Sequence, residues 1–192
     1  MHDEDIVKLV RAYESDIAQG DALLTQRPEL LNTRTELEET PLHLLCLGDS
    51  VEAVRALLAR GAQINTLNFC GGSPLSEAAM IGRESIVQAL LEHGALLSIP
   101  GQEEPTLQQA VRSGNVRVVD LLLDAGARVD ERGPLSQTAL HLAVEDDRVE
   151  IAALLIARGA DPSLMNGFNE SAIEVARNHE SARCVQLLTR LQ

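Results

Sequence analysis

Aromatic side chains are nearly missing from this sequence: it has no tryptophan, and Tyr13, Phe69 and Phe168 are its whole aromatic complement. A core built around large rings is therefore excluded. Apolar residues still make up 45% of the 192 positions, led by Leu and Ala, which suits thin layers of closely packed helices. Lysine is scarcer still, since Lys8 is the one lysine among sixteen basic residues. The formal charge of −13 disfavours binding to nucleic-acid phosphates or to an anionic membrane surface. No apolar run has the length of a membrane span, and the N-terminus MHDEDIVKLV is acidic where a signal peptide would be basic. Cys46, Cys70 and Cys184 are odd in number and lack CxxC spacing, the pattern of reduced thiols in a cytoplasmic protein.

Signatures of chemistry are missing too. There is no Walker loop, GxGxxG, HExxH or GxSxG, and no calcium-loop spacing. What is present is repetition. TPLHLLCLGDSVEAVRALLARGAQ from Thr40 returns as SPLSEAAMIGRESIVQALLEHGAL from Ser73 and as TALHLAVEDDRVEIAALLIARGAD from Thr138. Aligned on the helix-start motif, copies begin at Thr40, Ser73, Pro105, Thr138 and Ser171, in steps of 33, 32, 33 and 33 residues. Each copy holds two short helical patterns, the second being VEAVRALLA, SIVQALLE, VRVVDLLLD, VEIAALLIA or ARCVQLLT, apolar at helical spacing. Thr40, Ser73, Thr138 and Ser171 suit N-caps, whose hydroxyls accept from the first-turn N–H groups. Pro41 and Pro74 fit the first helical position, where a missing N–H costs nothing. Gly61, Gly94, Gly126 and Gly159 suit left-handed ends of the second helices.

The chain resembles the ankyrin-repeat family: TPLHLL and TALHLA are close to its T-P-L-H-x-A signature, and GADP and GAQIN match its repeat endings. The resemblance implies an all-α solenoid of helix-turn-helix units joined by β-turn fingers, with a concave face made of fingers and first helices. It also implies binding to other proteins without chemistry of its own. One such domain over residues 1–192 is expected, with units at 1–33 (a degenerate cap), 34–67, 68–99, 100–132, 133–165 and 166–192 (a C-terminal cap). One period before Thr40 lies Val7, a register that keeps Leu9 and Ala12 in apolar slots.

The third full copy departs from the pattern. It reads EEPTLQQA, with Pro and Thr exchanged, Gln108 in the histidine position and one residue fewer upstream. We expect a helix starting one residue early with Pro105 in its first turn, loss of the Thr–His pairing, a shorter finger between 98 and 104, and a soft point in the stack.

Candidate ligands are few. His43 and Cys46 lie three apart, which suits two zinc ligands, but His43 and His141 occupy the family's structural histidine position and no second pair lies nearby. His93 precedes a terminal glycine, where a cation suits the helix end. The carboxylate groups Glu36/Glu38/Glu39, Glu103/Glu104 and Glu145/Asp146/Asp147 diverge on turns, as solvated surface does. No catalytic residue, metal ligand or cofactor site is assigned.

A surface is left. The finger and first-helix slots hold Leu37, Leu47, Phe69, Met80, Ile81, Leu135 and Phe168, a set of the kind that marks an interaction site when exposed together. Stacking is expected to bring Leu47 beside Met80 and Ile81, near Phe69, with Glu36 and Glu39 on one side and Glu145 and Asp146 on the other as an acidic rim. The arginines Arg55, Arg60, Arg83, Arg117, Arg148 and Arg158 fall on or beside second helices, toward the back. An acidic concave face speeds encounter with a basic partner. We therefore expect a monomeric, non-enzymatic cytoplasmic module that binds a basic protein, as an adaptor or as a stoichiometric inhibitor of the immunity type. The alternatives are an effector delivered into another cell, or a binder of a small ligand or metal, or an unrecognised enzyme.

Overall fold

Hydroxyl residues followed by proline, and glycines after Leu-rich runs, divide the chain as the periodicity demands. The computed structural model describes residues 2–190, and among these there are α-helices, short 3-10 turns and no strand. The helices are α1 (His2–Ser15), α2 (Ile17–Gln26), α3 (Pro41–Leu47), α4 (Val51–Ala59), α5 (Pro74–Met80), α6 (Glu84–Glu92), α7 (Thr106–Ser113), α8 (Val116–Asp124), α9 (Ala139–Glu145), α10 (Val149–Ala157), α11 (Ala172–Asn178) and α12 (Ala182–Thr189). They are arranged as helix pairs of the ankyrin-repeat type. Packing groups the chain into two compact units, residues 1–102 and 103–192.

In the first unit α3 packs on α1 and α5, and α4 packs on α6. In the second, α9 packs on α7 and α11, while α10 packs on α8 and α12. First helices thus lie side by side, as do second helices. The packed residues are small or branched: Leu42, Ala53, Leu57, Ala78 and Leu90 in one unit, and Ala110, Leu122, Ala143 and Leu155 in the other, are fully buried. Side chains of this size let neighbouring helices approach closely.

The caps are as expected. Thr40 and Ser73 accept from the backbone N–H of His43 and Ser76, and Thr138 and Ser171 close capping boxes with His141 and Glu174. Gly61, Gly94, Gly126 and Gly159 all sit at positive φ, between 90° and 97° except for Gly94 at 83°, a region that penalises a Cβ. Outer faces of the second helices are joined by ion pairs. Arg55 on α4 meets Glu92 on α6 at 2.7 Å, Arg183 on α12 meets Glu150 on α10 at 2.6 Å, and Arg158 meets Asp120 and Asp124.

The first helix pair, α1 and α2, has other proportions than the rest. α1 has 14 residues where other first helices have seven or eight. Leu9 is fully buried as its slot requires, and Ala12 is half-buried. Tyr13 is the one buried aromatic ring. It lies against Gly20 on α2, where a Cβ would come within 2.6 Å of Tyr13 Cδ1, and its hydroxyl donates to Asp21 Oδ1 at 2.7 Å.

The third copy corrects one expectation and bears out another, since Pro105 makes no side-chain cap bond and the Thr–His pairing is lost. α7 begins in register at Thr106, with Pro105 outside it as the N-cap residue, so the helix does not start a residue early. The side-chain bond that joins one repeat to the next also survives the change to glutamine. His43 Nε2 reaches Gly72 O at 3.2 Å and His141 Nε2 reaches Glu170 O at 3.2 Å, each 29 residues ahead. Gln108 Nε2 donates to Gln137 O, also 29 residues ahead, at 2.8 Å, and to Glu131 O at 3.0 Å. An amide carries two N–H donors on one nitrogen, so glutamine reproduces the imidazole's reach with a separate N–H for each carbonyl. The finger is altered as expected: a tight Ile99–Gln102 turn, with Gln102 N donating to Ile99 O at 3.0 Å, replaces the five-residue loop of the other copies.

Candidate protein-binding surface

Four fingers share one geometry. In 35–39, 68–72, 133–137 and 166–170 the fourth residue's N–H donates to the first carbonyl, and the first N–H donates to the fifth carbonyl, at 2.8–3.1 Å. The fourth residue is left-handed in each: Glu38, Gly71, Ser136 and Asn169. Such a turn points its second and third side chains outward. Those positions hold Glu36 and Leu37, Phe69 and Cys70, Pro134 and Leu135, and Gly167 and Phe168.

Within each unit neighbouring fingers are tied at their tips. Phe69 N–H donates to Leu37 O at 2.9 Å, and Gly167 N–H donates to Leu135 O at 2.6 Å. Arginines brace their bases: Arg34 reaches Leu67 O at 3.2 Å, and Arg132 reaches Met165 O at 2.7 Å. Leu135 is itself left-handed, at φ 54°, a conformation that costs a branched residue about 1 kcal/mol. Its neighbour Gly167 has no room for a Cβ, which would lie 2.8 Å from Leu135 O.

The apolar residues singled out from the sequence are all exposed. Phe69 and Phe168 are the most open, at 74% and 64%, with Leu37, Leu135, Leu47, Met80 and Ile81 also exposed. In the first unit Leu47 ends α3 and Met80 ends α5, and Arg83 Nη2 donates to Leu47 O at 3.3 Å, which ties that end to the turn after Ile81. Arg83 therefore belongs to the first-helix ends and not to the back alone, and it also pairs with Asp49. Arg148 plays the same part in the second unit, donating to Val111 O at 2.7 Å and pairing with Asp146 at 3.1 Å.

In the second unit three of the singled-out residues come together. Leu135, Phe168 and Glu145 line one cleft of about 370 Å³, with Gln137, Glu170 and Arg112 among the other walls. Gln137 Nε2 lies 3.4 Å from Glu145 Oε2. Glu170 is held by two neutral amides, Asn166 Nδ2 at 3.1 Å and Asn178 Nδ2 at 2.7 Å. Arg112 turns to Glu104 at 3.0 Å. Sequence reasoning misses this cleft because its walls come from two fingers and three first helices. The spacing of Asn166, Glu170 and Asn178 is the one available signal.

Finger carboxylates differ in their pairing, and Glu38 is held by Arg34 at 3.2 Å. Among the described residues no cation pairs with Glu36, Glu39, Glu77, Glu145 or Glu170, while the second-helix arginines Arg55 and Arg158 are held in ion pairs. Burial, and then the neighbouring Glu77 carboxylate, raise the Glu39 pKa above the usual carboxylate range.

The candidate ligand groups are otherwise occupied. Thr40 N–H donates to His43 Nδ1 at 3.1 Å, which leaves Nε2 as the N–H that meets Gly72 O. Burial lowers the His43 pKa to about 4, lowers that of His141, and raises that of the Cys46 thiol. His93 Nδ1 lies 2.7 Å from Ala89 O at the end of α6. Among the described residues no group of three or more His, Cys, Asp or Glu is placed to hold a metal, and no helix is long and apolar enough to cross a membrane.

A family profile for ankyrin repeats (three copies) matches residues 3–101 and 96–166. The chain belongs to the ankyrin-repeat family. Such repeats are in general non-enzymatic modules for binding other proteins. The chain is 35% identical to the nuclear factor NF-kappa-B p105 subunit of Gallus gallus over 135 residues, 68% of this chain and 14% of that protein. It is 30% identical to the B-cell lymphoma 3 protein homolog of Mus musculus over 157 residues, 78% of this chain and 34% of that one. It is also 30% identical to the ankyrin repeat protein nuc-2 of Neurospora crassa over 171 residues, 88% of this chain and 16% of that protein. The aligned region thus spans about a third or less of each relative.

Proposed function

We propose that this chain captures a partner protein with a basic surface on the face made by its fingers and first helices, and catalyses nothing itself. One observation carries the reading. The finger and first-helix carboxylates Glu36, Glu39, Glu77, Glu145 and Glu170 lack cation partners among the described residues, whereas arginines of the second helices are held by their neighbours. A basic surface would supply the missing charges, and the Glu77 repulsion that adds to burial in raising the Glu39 pKa is one that a bound cation would relieve. Leu37, Leu47, Phe69, Met80, Ile81, Leu135 and Phe168 would act as apolar anchors. Asp146, already paired with Arg148, would contribute less than Glu145. The role that fits is that of a monomeric cytoplasmic adaptor or stoichiometric inhibitor, of the immunity type.

Affinity capture on immobilised full chain, read by mass spectrometry and then by binding kinetics, tests this. Central anchors carry about 2 kcal/mol or more each, so Phe69→Ala with Ile81→Ala should abolish capture while leaving melting nearly unchanged. Glu145→Ala with Asp146→Ala should slow association, most visibly at low salt. Arg55→Ala on α4 is the control. Loss of the partner in the Arg55 variant, with capture retained in the finger variants, would place the functional surface elsewhere.

A further inference from the structure

We infer that the cleft between fingers 133–137 and 166–170 is a subsite for one arginine side chain of the partner. The inference rests on the reading of this face as protein-binding and names what the cleft selects. Its volume of about 370 Å³ is that of a ligand cleft, on the order of 300–1,000 Å³. Its two carboxylates are oriented but not neutralised. Glu170 is fixed by the Asn166 and Asn178 amides, and Glu145 lies beside the Gln137 amide. Amides direct a carboxylate without cancelling its charge. The one arginine on the wall, Arg112, has its guanidinium on Glu104.

The apolar walls decide which cation. Phe168 offers an exposed ring and Leu135 an exposed aliphatic tip, above the buried side chain of Val175. A guanidinium is planar, stacks on an aromatic face and presents a fork of N–H donors to carboxylates, whereas an ammonium is compact and strongly hydrated. The aliphatic stem of an arginine would cover the leucine while its head reaches Glu145 and Glu170. The site is also shaped in advance: the Gly167 N–H bond to Leu135 O holds the two fingers at a fixed separation, so less ordering accompanies binding.

The test is a titration of the isotope-labelled full chain with acetyl-Gly-Ala-Arg-Ala-Gly-amide, followed by backbone amide shifts. Parallel titrations use lysine and citrulline in place of the arginine, citrulline being its neutral near-isostere. The arginine peptide should shift Gly167, Phe168 and Glu170 saturably and bind about fivefold tighter than the lysine peptide. The citrulline peptide should give no saturable shift. Glu145→Gln and Phe168→Leu, both at positions where the frame has no structural need of the native group, should each weaken the arginine peptide about fivefold, and Glu36→Gln should leave it unchanged. Equal binding of lysine or citrulline, shifts confined to other fingers, no saturable shift, or indifference to both cleft variants would overturn the subsite. If the arginine peptide fails while partner capture still depends on Phe69 and Ile81, the subsite is wrong and the surface reading stands. If it binds as expected while capture ignores the finger variants, the surface reading is the one that fails.

Discussion

Gln108 gives the sharpest test of how these repeats are held together. Its side chain is 1% exposed, and its amide donates to Gln137 O at 2.8 Å and Glu131 O at 3.0 Å. Gln108→Ala removes both bonds and leaves a void. Each bond contributes about 1 kcal/mol net, and a buried carbonyl left without a donor costs about 1–3 kcal/mol. Gln137 O keeps a second donor, Gly133 N–H at 2.9 Å, so the larger penalty falls on Glu131 O. The expected loss is about 2–4 kcal/mol, read as a shift of the urea midpoint with the slope unchanged.

Gln108→His is the informative partner. It should retain most of the stabilisation near neutral pH, losing within about 1 kcal/mol because one N–H now serves two carbonyls. It should then lose stability on acidification, as a buried imidazole does. His43→Gln should do the reverse and flatten the acid limb. A Gln108→Ala loss below about 0.5 kcal/mol, the size of an ordinary surface change, or a histidine variant as poor as alanine, would refute the equivalence of Gln108 with His43 and His141.

Four further outcomes can be measured. The folded chain holds His43 neutral with a pKa of about 4 against 6.5 in the unfolded chain, so its contribution is present above about pH 6.5 and drains as pH falls toward 4. Chemical melts should show up to about 3 kcal/mol of this loss, reduced in His43→Gln. Gly20→Ala should drive a methyl into the Tyr13 ring and lower stability by about 1–3 kcal/mol, whereas Tyr13→Leu in the same background should recover part of it. Glu180 is left-handed at φ 58° where Gly82 and Gly114 stand in other copies, so Glu180→Gly should raise stability by about 0.5–1 kcal/mol in thermal melts. Pro105→Thr should supply the missing capping hydroxyl of α7 and add about 1 kcal/mol. No gain there would refute the reading of that helix start as uncapped.

The frame was legible because its signals are local. A hydroxyl before Pro41 or Pro74, an apolar run of fixed length and a glycine after it specify a helix pair within about thirty residues, and the second helices at 51–59, 116–124 and 149–157 match their patterns residue for residue. The role of Gln108 was not legible, since it depends on two carbonyls placed 23 and 29 residues later. A signature reads side-chain identity, while the frame needs only a donor at a given point in space. The long α1 and its Tyr13–Gly20 packing escaped for the same reason. At the surface, exposure of Leu37, Phe69, Leu135 and Phe168 followed from finger chemistry. That Leu135, Phe168 and Glu145 share a cleft with Glu170 required the fingers to be set against three first helices.

The scarcity of aromatics takes on meaning once their places are known. The interior is assembled from Leu, Val, Ile and Ala, and one ring, Tyr13, is buried at the cap. The other two are held in water on finger tips, at 74% and 64% exposure, where each forgoes about 1.5–3 kcal/mol of burial. Leu135 joins them exposed and left-handed, adding about 1 kcal/mol of backbone strain. Nothing in the frame requires these choices: the equivalent tip position of the 68–72 finger is Cys70, and its left-handed residue is Gly71. The fingers therefore carry a stability cost that the repeat itself does not impose, next to carboxylates that lack cation partners among the described residues. Both departures are relieved by the same event, burial of these tips against a surface that brings positive charge. That convergence is the argument for the proposed basic protein partner.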